Sequence, residues 1–207
     1  MSSSNLIRWS GLAALVGGVL AVVSEVLDAA LFAGEHGGET MVTSSWFIVQ
    51  ILGLVALVLI TLGLVGLYAR QAERGETLGL VAFLVAFIGT VMVSGSVWSE
   101  AFIGPAVAEA APELADADPS GVVAAGVILT FGLFALGWLL FGLASLRARV
   151  LPRGAALLLM VGAVLFFVVS SLEFPGSTIV VGAALVWMGY ALWSGTGEPA
   201  LTAAAAT

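Results

Sequence analysis

Charged residues and Pro/Gly clusters divide the chain into six continuous apolar runs, at 6–32, 45–69, 78–103, 122–146, 154–172 and 177–193. All but the shortest, the last, are close to or above the roughly 20 residues a helix needs to cross a bilayer. Apolar residues follow one another within each run, without the alternation by which a membrane β-strand faces lipid with every second side chain. The pattern predicts an all-α integral membrane protein of six transmembrane helices, with one domain over 1–194 and a disordered cytoplasmic tail over 195–207. The first run is too long for the apolar core of a signal peptide and contains Glu25 and Asp28. No small-x-small cleavage site follows it, so it reads as a helix of the mature chain.

Composition supports this class and removes others. Of 207 residues 61% are hydrophobic and only 9% charged, with a mean hydropathy of +1.17, whereas a soluble domain carries about a quarter charged residues. The absence of Cys excludes disulfides, thiolate nucleophiles and cysteine-held metals. All six basic residues are Arg, so a lysine Schiff base and a Walker A lysine are excluded too. A net charge of -7 argues against nucleic acid as a partner.

The arginines set the expected orientation. Arg8 precedes helix 1, Arg70 and Arg74 separate helices 2 and 3, and Arg147, Arg149 and Arg153 separate helices 4 and 5. By the positive-inside rule both termini are then cytoplasmic, in the inner membrane of a prokaryote. The acids fall mostly on the outer side, with Glu73, Glu76 and Glu198 the exceptions.

A shift of 79 residues lays helix 2 and its loop on helix 4 and its loop. Gly53, Leu54, Ala56, Leu57, Gly63, Leu64, Leu67, Ala69, Arg70, Arg74 and Gly75 fall on Gly132, Leu133, Ala135, Leu136, Gly142, Leu143, Leu146, Ala148, Arg149, Arg153 and Gly154. The arginine and glycine matches weigh most, and the repeat they predict is parallel, relating the hairpin of helices 2–3 to that of helices 4–5 about the membrane normal. Each outward-running helix also ends in serine and glutamate near an aromatic: Ser24 and Glu25 before Phe32, Ser99 and Glu100 before Phe102, Ser171 and Glu173 before Phe174.

Ionisable groups in a membrane helix are costly and are functional candidates for that reason. Glu25 and Asp28, three apart, share a helix face. Ser96 lies one turn before Glu100, and Ser170 and Ser171 adjoin Glu173. If the odd helices converge, Glu25, Asp28, Ser96, Glu100, Ser170 and Glu173 form one outward-opening acidic pocket. His36, between Glu35 and a Gly-Gly pair ahead of Glu39, lacks the further ligands a metal site recruits, and reads as part of a solvated loop. A metallo-protease H-E-x-x-H, an intramembrane aspartate pair and a serine–histidine arrangement are all missing, which favours a non-enzymatic role without a cofactor. Paired glycines such as Gly63 and Gly66, Gly137 and Gly142, and Gly182 and Gly189 read as close helix packing. The outer loop 104–120 carries Glu109, Glu113, Asp116 and Asp118 among prolines, as a solvated connector, a short surface helix over 107–117, or a contact for another protein.

The stretch Phe131-Gly132 through Trp138-Leu139-Leu140-Phe141-Gly142, then Arg149, Leu151-Pro152-Arg153-Gly154 and Gly162, resembles the helix-arginine-loop-helix unit of uncharacterised prokaryotic multi-pass membrane families. That resemblance implies the fold and transfers no functional residue. Three functions fit the sequence: binding or passing a small solute, cation or lipid at the acidic pocket; docking as an accessory subunit; or modifying lipid through carboxylates. The expected partners are membrane lipid and either a membrane protein or a second copy of the chain.

Overall fold

The structure is a computed structural model describing residues 3–32, 37–170 and 178–195. Their regular elements are all helices: α1 (Ser3–Phe32), α2 (Gly38–Met41), α3 (Ser44–Phe102), α4 (Gly104–Ala110), α5 (Pro112–Ala115), α6 (Gly121–Ala148), α7 (Arg153–Ser170) and α8 (Ile179–Ser194). Four segments are long and apolar enough to cross a membrane: one in α1, two in α3 (Ser44–Ala72 and Thr77–Phe102) and α6. Both α7 and α8 are apolar but shorter. Of the expected tail over 195–207 all but Gly195 lies outside the described residues, as do Glu35, His36, Ser171 and Glu173.

At 59 residues and 1.5 Å per residue, a straight α3 would reach about 88 Å. It instead doubles back. The indole Nε1 of Trp46 donates to the Glu100 carbonyl at 3.1 Å, the Phe47 and Phe102 rings lie 5.7 Å apart, and Tyr68 stacks on Phe83 at 4.4 Å. Two antiparallel limbs, Ser44–Ala72 and Thr77–Phe102, therefore meet at residues 73–76. The sequence predicts a loop there, but helix persists through the reversal. Ala72, Glu73, Arg74 and Glu76 all favour helix, and only Gly75 resists it.

Neighbours in sequence pack as antiparallel neighbours in space, and α8 closes back on α1. Glycines make these contacts close. A Cβ on Gly63 would fall 2.6 Å from that of Ala14, joining α1 to the first limb of α3. One on Gly137 would fall 2.4 Å from the Ala86 backbone, joining the second limb to α6. Gly189 against Leu15 seals α8 onto α1, and Gly162 against Val181 joins α7 to α8. With no hydrophobic drive between helices in lipid, such backbone approaches supply the attraction through dispersion. The packing reading of the glycines thus holds at each pair named from the sequence.

The pairings gather Arg8, Arg70, Arg74, Arg147, Arg149 and Arg153 at one end of the molecule. There the Arg8 guanidinium sits 4.6 Å above the Trp193 ring, which also meets Trp9 edge-on at 5.7 Å. Arg149 ends α6 in a left-handed conformation (φ 57°), and Pro152 precedes α7. The corresponding Arg70 remains helical, so the two hairpins share direction but not turn geometry. Toward this end the interior is filled by Leu64, Leu67, Trp138, Phe141, Leu159 and Met188, each fully buried.

At the opposite, acidic end, α2, α4 and α5 pack together as a cap. Of the alternatives for the loop 104–120, a short surface helix over 107–117 comes nearest, but there are two helices: α4 starts earlier, at Gly104, and Pro112 begins α5. Proline clashes with the preceding turn and lacks an amide hydrogen, so a continuous helix through 112 is disfavoured.

Candidate functional site

Near the acidic end, polar side chains of α1, both limbs of α3 and the start of α8 form a layer of hydrogen bonds. Helix α3 begins there, with Thr43 Oγ1 accepting the Trp46 amide at 3.2 Å. One turn further, Gln50 lies on the face turned to the second limb, 9% exposed. Its Nε2 donates to Glu100 Oε2 at 2.6 Å, while Ser96 Oγ donates to Glu100 Oε1 at 3.3 Å. The helical i, i+4 spacing puts Ser96 beside Glu100, as its position in the sequence implies. Both oxygens of the Glu100 carboxylate are thus oriented, and the Trp46 indole holds the backbone carbonyl of the same residue.

Helix α1 contributes Ser24 and Glu25 on its two flanks. Ser24 Oγ donates to the Val49 carbonyl at 3.1 Å, tying α1 to the first limb immediately before Gln50. Glu25 turns the other way and accepts from Thr178 Oγ1, at the start of α8. Asp28, one turn above Glu25, is half-buried. The structure therefore unites Ser96 with Glu100 and places Glu25 against α8. Among the described residues no three of His, Asp and Glu assemble as a metal-holding group. Ser170 is the last residue of α7, its side chain outside what is described, and Glu173 lies outside the described residues.

Gln50 and Thr178 complete the layer, and neither was a candidate in the sequence. Gln50 carried a usable signal: an amide in an uninterrupted apolar run needs a hydrogen-bonding partner inside the membrane. Thr178 carried none, since a threonine at a helix start is ordinary.

In the cap, Asp116 Oδ1 accepts the Gly38 amide at 2.8 Å and so fastens α2 to the loop after α5. Asp116, one of the four acids of the loop that could serve as a partner contact, thus also holds the cap together. Glu109, Glu113 and Asp118 are exposed, as is Leu114 at 67%.

No protein-family model, curated protein or solved structure matches the chain.

Proposed function

We propose that this chain crosses a prokaryotic cytoplasmic membrane six times, built on a parallel repeat of two hairpins, with both termini on the arginine side, and that it binds a small cationic solute at its acidic outer end. The reading rests on one observation above all: Glu100, a carboxylate in a membrane-length helix, is oriented by a buried amide and a hydroxyl, Gln50 Nε2 and Ser96 Oγ. Such a group is costly in lipid and is retained where it serves a ligand. Glu25 and Asp28 share the layer, and Glu173 is proposed to complete it. The packed interior toward the arginine end favours binding over passage, because a solute moving through would have to displace Trp138 and Phe141.

The test is calorimetric titration of the purified protein with alkali cations and with ethylammonium. The expected result is saturable binding that Glu25→Gln with Glu100→Gln abolishes while the unfolding temperature stays unchanged. Unaltered binding by the double variant would overturn the assignment.

A second reading, docking onto a larger membrane complex, is favoured by the cap, which presents Leu114 among exposed Glu109, Glu113 and Asp118. Deleting 106–118 should release the protein from an assembly seen in mild detergent; an assembly that survives would rule out that surface.

A further inference from the structure

All six arginines gather at one end of the molecule, and all but Arg70 are exposed there. Among the described residues none of them is in an ion pair. One of the six is nevertheless held in place: the Arg8 guanidinium lies 4.6 Å over the Trp193 ring, which Trp9 braces edge-on at 5.7 Å. The ring attracts the charge but supplies no oxygen to the N–H groups. The donor fork of Arg8 is thus positioned and still open to an acceptor.

The depth of this pair selects the acceptor. On the membrane-spanning reading above, from which this inference starts, α1 crosses with Asn5–Phe32. Those 28 residues are about 42 Å long at 1.5 Å per residue, about 12 Å more than the hydrocarbon layer. Arg8 is about 4.5 Å from the start of the segment, within the ~6 Å that each end leaves at headgroup depth. Beside it Leu6 and Trp9 are exposed, an apolar and an indole surface suited to the boundary between acyl chains and headgroups. A phosphodiester at this depth offers two oxygens that match the guanidinium fork. Among the described side chains no carboxylate stands at this end to receive the amine of a zwitterionic headgroup, and the six arginines favour one of net negative charge. We propose that Arg8, seated on Trp193, binds the phosphate of an anionic phospholipid in the leaflet at the arginine end.

Any arginine near an anionic leaflet attracts it, so a site must be distinguished from that background. Arg147 provides the comparison: it is exposed at the same end and carries the same charge, with no ring contact among the described residues. The purified protein would be titrated in detergent with phosphatidylglycerol and with phosphatidylcholine, and each bound lipid resolved by native mass spectrometry. The expected result is one phosphatidylglycerol bound at least about fivefold more tightly than phosphatidylcholine, the scale of one arginine at an anionic surface. Arg147→Gln should weaken it by about fivefold at most, through charge alone. Arg8→Gln should weaken it well beyond that, and Arg8→Lys, which keeps the charge without the fork, should also lose the preference. Equal losses in Arg8→Gln and Arg147→Gln, or full binding by Arg8→Lys, would overturn the proposal, as would phosphatidylcholine bound as tightly. Inorganic phosphate that displaces the lipid at equal concentration would overturn a lipid as the occupant. Failure of the protein to float with vesicles of either lipid would instead overturn the membrane-spanning reading, and this inference with it.

Discussion

The chain has two glutamines, and both are buried where they tie segments together. Gln50 donates to Glu100, and Gln71 meets Ser145 of α6 at 2.9 Å. The second pair does not balance. Ser145 Oγ also donates to the Phe141 carbonyl at 2.8 Å, and one hydroxyl proton cannot serve two acceptors. Gln71 Nε2, meanwhile, has no partner. Turning the amide by half a revolution lets Nε2 donate to Ser145 Oγ while the hydroxyl keeps Phe141. Ser145→Ala should then cost about 1 kcal/mol, the scale of interhelical hydrogen bonds in membranes, because a buried amide loses its partner. Gln71→Leu should be neutral or stabilising, since it removes the polar group itself. Thermal unfolding in detergent separates the two, and equal losses would show that the pair is not the origin. Glycines give a second contrast. Gly137→Ala forces a methyl against the Ala86 backbone and should destabilise by about 1–3 kcal/mol. Gly126 meets nothing within 4 Å, and Gly126→Ala should instead gain up to about 1 kcal/mol of helix propensity.

Among the elements, the cap is the part whose docking is easiest to check, because the chain contains no cysteine. A Cβ on Gly38 would lie 3.5 Å from that of Ala108, within the separation a disulfide accepts. Gly38→Cys with Ala108→Cys should oxidise spontaneously, detected as a mobility shift on a non-reducing gel, and failure to close would place α2 away from α4. Asp116→Ala should loosen the same contact, lowering the unfolding temperature slightly by removing the acceptor for the Gly38 amide. The long elements were legible in the sequence to within a few residues: the run at 122–146 became Gly121–Ala148, and the run that begins at 154 starts its helix at Arg153. Length and unbroken apolarity define such helices without tertiary help. The connections were less legible. The reversal at 73–76 kept helix because helix formers surround a single glycine, and Pro112 divided the surface helix because a missing amide outweighs favourable alanines nearby.

At the scale of the whole molecule, the sequence did not reveal which helix faces meet. Helices apolar on every side carry no amphipathic stripe to mark the buried face. Only the glycines marked close approaches, and they did so without naming the opposite helix. Thus the sequence marks Gly189 as a packing position, but only the structure shows that it closes α8 onto α1. The polar layer followed the same rule: Ser96 could be placed beside Glu100 because both lie on one helix, whereas Gln50 and Thr178 reach their carboxylates across helix contacts. End-to-end polarity was legible, because strict alternation of helix direction makes every second connection fall at the same end. That polarity yields the last prediction. If the six segments all span, a cysteine at Asp118 must be reachable from outside an intact cell and one at Arg149 only after permeabilisation, since arginine-rich connections remain cytoplasmic. Single Asp118→Cys and Arg149→Cys variants, labelled with a membrane-impermeant maleimide, provide the measurement. Labelling of both from outside would mean an even number of crossings between them, which a single passage through α6 forbids, and would overturn the reading of that helix as a span. Labelling of Arg149→Cys alone would keep the architecture and invert it, moving the Glu100 layer to the cytoplasmic side, where a cationic solute would have to be drawn from inside the cell.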